Sequence, residues 1–167
     1  MNIKILAFAM TMSITATAQT PKLSKNNIDE VLHAMTLEEK ASLLIGGEYD
    51  FWSTTAVAGN SSRTVPGAAG STIAIPRLGI PETILTDGPA GVRINPTRPE
   101  TDKTFYATGF PVGSCLAATW NTELASRVGK AIGNEVKAYN CDVILGPGMN
   151  IHRNPLCGRN FEYYSED

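Results

Sequence analysis

Two stretches of the 167-residue sequence set opposite charges among turn-forming residues: "TDGPAGVR", Thr86 to Arg93, and "GRNFEYYSED", Gly158 to Asp167. In the first, Asp87 and Arg93 bracket Gly88, Pro89 and Gly91 directly after the apolar run "ETIL". A turn requires the glycines and the proline, but not the two charges. A carboxylate fixed at a strand end is a stationary acceptor, suited to a polyhydroxylated ligand whose hydroxyls must be oriented. A guanidinium nearby adds donors in a planar fork. The plain alternative is that Asp87 starts an Asx-turn and Arg93 is a surface charge. In the second stretch, Arg159 and Glu162 can form an ion pair, which alone is a common surface arrangement. "LGPGMN", from Leu145, is by itself only a turn.

Spacing excludes several other chemistries. The serines have no G-x-S-x-G frame, no glycine-rich turn leads into Lys-Ser or Lys-Thr at a helix start, and G-x-G-x-x-G is missing. His33 and His152 are the only histidines and lie far apart, so a zinc site made by this chain alone is not expected. From the residues alone, no nucleophile can be named.

The elements that must position these charges follow from periodicity. "NNIDEVLHAM" places Ile28, Val31, Leu32 and Met35 on one helical stripe. "TLEEKASLLIGG" carries a capping box from Thr36 to Glu39 and a stop at Gly46. Gly47 to Thr72 is poor in periodic apolar residues and reads as a long surface loop, in which Phe51 and Trp52 either stack on a ligand or tuck the loop down. A strand is expected around Thr83 to Thr86, stopping at Asp87, then a polar loop from Asn95 to Thr108. A helix that Asn121 can cap is expected from about Asn121, with Leu124, Val128, Ile132 and Val136 recurring every fourth residue, ending near Tyr139 and Asn140. An apolar, buried strand follows, Val143 to Leu145. Strand, helix and strand in that order form a parallel βαβ unit, so the fold class is α/β, either doubly wound or a (β/α)₈ barrel. Both architectures work at the C-terminal ends of their strands, where Asp87 and Arg159 fall.

Composition bounds the partners. At 43% hydrophobic, 18% charged and a net charge of -2, the chain resembles ordinary globular domains and carries no basic patch for nucleic acid. Lys4, the apolar "ILAFAMTMSI" and the small residues "ATA" make 1–18 a secretory signal cut before Gln19, leaving 19–167 as the mature domain in the periplasm or medium. With the signal removed, no membrane association is expected. Cys115, Cys141 and Cys157 form no even framework and are expected as buried thiols.

"TLEEKASLL", "IPRLGIP", "TDGPAGVR", "FPVGSCLAATWN" and "LGPGMNIHRNPLCGRNFEYYSED" together resemble, in order and approximate spacing, the N-terminal barrel domain of family-three glycoside hydrolases, and specifically bacterial exported β-glucosidases. The resemblance implies the N-terminal part of a (β/α)₈ TIM-like barrel, incomplete in this chain, since such barrels take about 250 residues to close. It implies a retaining, exo-acting enzyme on oligosaccharides or β-glucosides, working through two carboxylates with no cofactor or metal. By the family pattern, Asp87 and Arg159 bind the glycosyl unit, Glu162 orients Arg159, Leu145 lines the pocket, and Arg93 stands nearer the aglycone. The nucleophile and the acid/base fall beyond Asp167, so the chain alone is expected to be inactive. β-Xylosidase or another specificity of the family, or a non-catalytic carbohydrate-binding role, stay open as alternatives.

Overall fold

The computed structural model describes residues 20–45 and 64–166. The leader over 1–18, Gly46, the aromatics Phe51 and Trp52, and Asp167 lie outside the described residues. In chain order the elements are α1 (Ile28–Ala34), α2 (Leu37–Ile45), β1 (Gly70–Ser71), β2 (Ile84–Asp87), α3 (Gly113–Ala117), α4 (Thr122–Ala138) and β3 (Val143–Leu145). Single 3-10 turns occupy Pro76–Leu78 and Asn160–Glu162.

The two opening helices form as their sequence signals require. Glu39 N–H donates to Thr36 Oγ1 at 3.2 Å while Thr36 N–H donates to Glu39 Oε2 at 2.9 Å, which completes the capping box. Glu39 also takes a two-pronged ion pair from Arg77, and Arg77 donates on to the Ala34 carbonyl at 2.9 Å. That arginine ties both helices to the 3-10 turn, over a small core of Val31, Met35, Ile75 and Leu78. The apolar stripe of α1 is only half used, because Ile28 and Leu32 stay exposed.

The three strands lie in the order β1-β2-β3, with β2 and β3 parallel and β1 antiparallel on the other edge. The βαβ unit is therefore β2, α4 and β3. Asn121 caps α4 by accepting from Leu124 N–H at 2.9 Å, as its side-chain type favours. At the base of the unit, Asp142 Oδ2 accepts from Ile84 N–H at 2.7 Å and Asp142 N–H donates to the Ile84 carbonyl at 2.9 Å. These two bonds fix the register, in which Leu85 faces Val143, Thr86 faces Ile144 and Asp87 faces Leu145.

Register then decides which side chains share a face. Side chains alternate along a strand, and laterally paired residues point the same way. Ile84, Thr86 and Ile144 therefore form one face, and the core beneath it gathers Val65, Ala68, Val92, Val136 and Cys141. Leu85, Asp87, Val143 and Leu145 form the other face. Val143 and Leu145 are 38% and 43% exposed, so among the described residues no helix covers this face. In a (β/α) barrel the helices pack outside, which makes the uncovered face the inner one.

The structure departs from the sequence expectations at three points. The stretch read as a surface loop up to Thr72 contributes β1 and two fully buried core residues, Val65 and Ala68. The strand at Val143 to Leu145 is apolar but not buried, since only Ile144 meets the core. Of the three thiols only Cys141 is buried, while Cys115 and Cys157 are exposed.

Candidate functional site

Asp87 ends β2, and the loop it opens returns to its own start. Arg93 N–H donates to the Asp87 carbonyl at 2.6 Å, and the Thr86 hydroxyl donates to the Arg93 carbonyl at 2.7 Å. Thr86 is completely buried, so its hydroxyl needs that acceptor and thereby locks the loop. Gly91 sits at φ +133°, and a Cβ there would stand 2.3 Å from the Thr108 carbonyl oxygen. Glycine is what the turn demands at this point. Asp87 and Arg93 consequently stand side by side, with Arg93 Nη1 3.5 Å from Asp87 Oδ2 and both side chains about half exposed. A pair that long and that wet stabilises little. The carboxylate remains accessible as an acceptor.

Leu145 ends β3 and is the lateral partner of Asp87, so the two tips present a carboxylate and an apolar side chain on the same uncovered face. The loops beyond them touch. A Cβ on Gly146 would lie 3.3 Å from both the Gly88 carbonyl oxygen and Pro89 Cα. Two residues later the chain meets the Arg159 segment, where a Cβ on Gly148 would stand 2.7 Å from the Glu162 carbonyl oxygen.

That segment is held by hydrogen bonds within it and by one from α3. Asn154 Oδ1 accepts from Leu156 N–H at 2.9 Å, its carbonyl accepts from Asn160 Nδ2 at 2.8 Å, and Ser114 Oγ of α3 donates to the Tyr163 carbonyl at 2.9 Å. Within it, Arg159 Nε donates to Glu162 Oε1 in a close ion pair. Glu162 is the anchored member, its side chain 11% exposed against 72% for Arg159. The hydrogen bond that Arg159 donates to Glu162, joined by that carboxylate's charge, holds its guanidinium above the ordinary range, so it stays a cation. One of its five N–H donors is spent on Glu162, which leaves four of the fork's donors for other acceptors.

The structure thus brings Asp87, Leu145 and Arg93 together, and Arg159 with Glu162. Among the described residues no hydrogen bond or ion pair joins Asp87 to Arg159, and the two groups are linked through the close approaches at Gly146 and Gly148. Arg93 also lines a hollow of about 470 Å³ with Phe105, Tyr106 and Thr108. Tyr106 is strongly exposed there, and its one sequence signal is being an aromatic in the polar loop from Asn95 to Thr108. A larger hollow of about 640 Å³ lies between α4 and β3, lined by apolar groups such as Leu116, Val128, Ile132, Ile144 and Met149. It offers almost no hydrogen-bond partners, so a polar ligand would lose its hydration there without compensation. The charged residues at the strand tips, not this hollow, form the candidate site.

A family model described as the glycosyl hydrolase family 3 N terminal domain matches residues 72–167. The chain is 44% identical over 144 residues to thermostable beta-glucosidase B of Acetivibrio thermocellus, covering 84% of this chain and 16% of that protein. It is 42% identical over 137 residues to an exo-alpha-(1->6)-L-arabinopyranosidase of Bifidobacterium longum, covering 80% and 16%. Among solved structures, beta-glucosidase 3B from Thermotoga neapolitana in complex with glucose superposes with a TM-score of 0.72 at 55% identity, covering 83% of this chain and 19% of that one. The chain therefore spans less than a fifth of the length of these relatives.

Proposed function

The chain belongs to glycosyl hydrolase family 3, as a stretch of its N-terminal domain, and from that premise we propose that the complete gene product is a retaining β-glucosidase releasing terminal β-D-glucosyl residues. The part played by these residues is binding. Asp87 accepts hydrogen bonds from hydroxyls of the glycosyl unit, Arg159 donates to them, and Glu162 holds Arg159 in place. Leu145 supplies an apolar wall beside Asp87 for the C–H face of the ring, and Arg93, with Tyr106 across the adjoining hollow, serves the aglycone side. Charge-assisted bonds from groups held on strand tips orient the sugar for attack by a carboxylate nucleophile and protonation by an acid/base, the two-carboxylate chemistry of retaining glycosidases.

One observation carries this reading: Asp87 and Leu145 are lateral partners at adjacent parallel strand tips, on the face that no helix among the described residues covers. That is where a barrel enzyme keeps its working residues. We also propose export to the periplasm or medium, supported by the leader pattern of residues 1–18.

A panel of nitrophenyl glycosides presented to the complete gene product tests the activity. Fastest turnover is expected on the β-D-glucoside, and no turnover of any β-glycoside would overturn the proposal. The arabinopyranosidase among the relatives earns an α-L-arabinopyranoside a place on that panel.

A further inference from the structure

Two glycines from different elements close on one main-chain atom. Gly113 is the first residue of α3 and Gly148 lies in the loop after β3, yet a Cβ on either would collide with the same Glu162 carbonyl oxygen, at 2.5 Å and 2.7 Å. Real Cβ atoms do not come within 3.0 Å of a neighbour, and a main-chain carbonyl cannot swing aside as a side chain can. Neither glycine has a left-handed φ, so space alone requires glycine at both positions. By contrast, Gly109, Gly129, Gly133 and Gly158 have open space where a Cβ would go.

We propose that Gly113 and Gly148 are positioning residues that set where the Arg159 guanidinium stands relative to Asp87. The inference rests on the reading of Arg159 as a sugar-binding group. Glu162 is gripped at its carbonyl from both sides, and Ser114 Oγ holds the next carbonyl, Tyr163, at 2.9 Å. The Glu162 backbone is thereby immobilised, and its nearly buried carboxylate then fixes Arg159 through Nε. Gly148 also connects this grip to the Asp87 side, because it lies three residues after Leu145, the lateral partner of Asp87. The distance between acceptor and donor is thus set by the main-chain packing around Glu162 and Gly148, passed on to Arg159 by the Glu162 carboxylate.

A methyl group at either glycine must push the Glu162 carbonyl away by roughly 0.7 to 0.9 Å to restore ordinary contact. Misplacing a binding group by about 1 Å can cost on the order of 100-fold in rate. Gly148→Ala in the complete gene product should lower kcat/KM for a nitrophenyl β-D-glucoside by about 10- to 50-fold. The inhibition constant for glucose should rise in parallel. Gly158→Ala, next to Arg159 in sequence but in open space, should stay near wild type.

The decisive arm is a double-mutant cycle with Arg159→Ala. If Gly148 acts through Arg159, Gly148→Ala costs nothing further once Arg159 is gone. Should Arg159→Ala impair the enzyme while Gly148→Ala is silent, or multiplies fully with it, the positioning inference fails and the sugar-binding reading stands. Should Arg159→Ala itself leave kcat/KM unchanged, that reading fails and takes the inference with it. If Gly148→Ala does not fold, Ser114→Ala, which removes only the hydroxyl that holds the Tyr163 carbonyl, is run through the same cycle with the same outcomes.

Discussion

Replacing Asp87 by alanine separates binding from folding more cleanly than any other change at the strand tips. In the folded chain Asp87 gives up only one long, half-exposed ion pair to Arg93, while the loop is locked by main-chain bonds and Thr86, which the substitution leaves intact. The melting temperature of the complete gene product should therefore move by no more than about 2 °C, as for loss of a surface pair. A charge-assisted hydrogen bond to a sugar hydroxyl is worth about 1.5 to 3 kcal/mol, which converts to a loss of about 10- to 150-fold in kcat/KM. The assay is release of nitrophenol from the β-D-glucoside at substrate concentrations well below KM, alongside thermal melting. Asp87→Asn keeps the shape without the charge and should fall between wild type and alanine. Near-normal turnover by Asp87→Ala in a folded protein would refute the reasoning, because it would mean that the carboxylate touches no substrate.

Glu162→Ala frees Arg159 from its anchor, so steady-state kinetics should show kcat/KM falling at least about 10-fold, with partial recovery in Glu162→Gln, which retains an acceptor oxygen. Gly91→Ala meets both a positive φ and the Thr108 carbonyl, so thermal melting should show a loss of about 2 kcal/mol or more. The Glu39 carboxyl is held below its ordinary value first by the hydrogen bond from Arg77 and then by the Thr36 amide. A lowered carboxyl pKa favours the fold above the unfolded value near 4.5, and the benefit disappears as pH falls through the folded value. The difference in melting temperature between wild type and Arg77→Met should accordingly be present at pH 6 and shrink towards pH 3.

The parts of the fold legible in the sequence are those whose signals are local. α4 has a cap at Asn121 and a fourfold apolar repeat, the Thr36–Glu39 box marks α2, and the βαβ order followed from strand-like and helix-like periods. β1 was not legible, because two residues have no period and Val65 and Ala68 are buried by packing with the distant Ile84, Val92, Val136 and Cys141. α3, five residues long, is too short to show one. The exposure of Val143 and Leu145 was equally hidden, since an apolar run does not reveal whether its second face has a partner. At the site, the i,i+3 pair of Arg159 and Glu162 could be read from spacing, whereas the lateral pairing of Asp87 with Leu145 needed the register. Gly113 and Gly148 could not be read at all, for their contacts are to a carbonyl brought in by the chain's return.

The central claim is that Asp87 and Arg159 act on one monosaccharide. A crystal structure of the complete gene product with glucose bound tests it most directly. The expected result is a single ring at the tips of β2 and β3, with hydroxyls within hydrogen-bond distance of both the Asp87 carboxylate and the Arg159 guanidinium. A ring held elsewhere, or contacted by only one of the two, would contradict it.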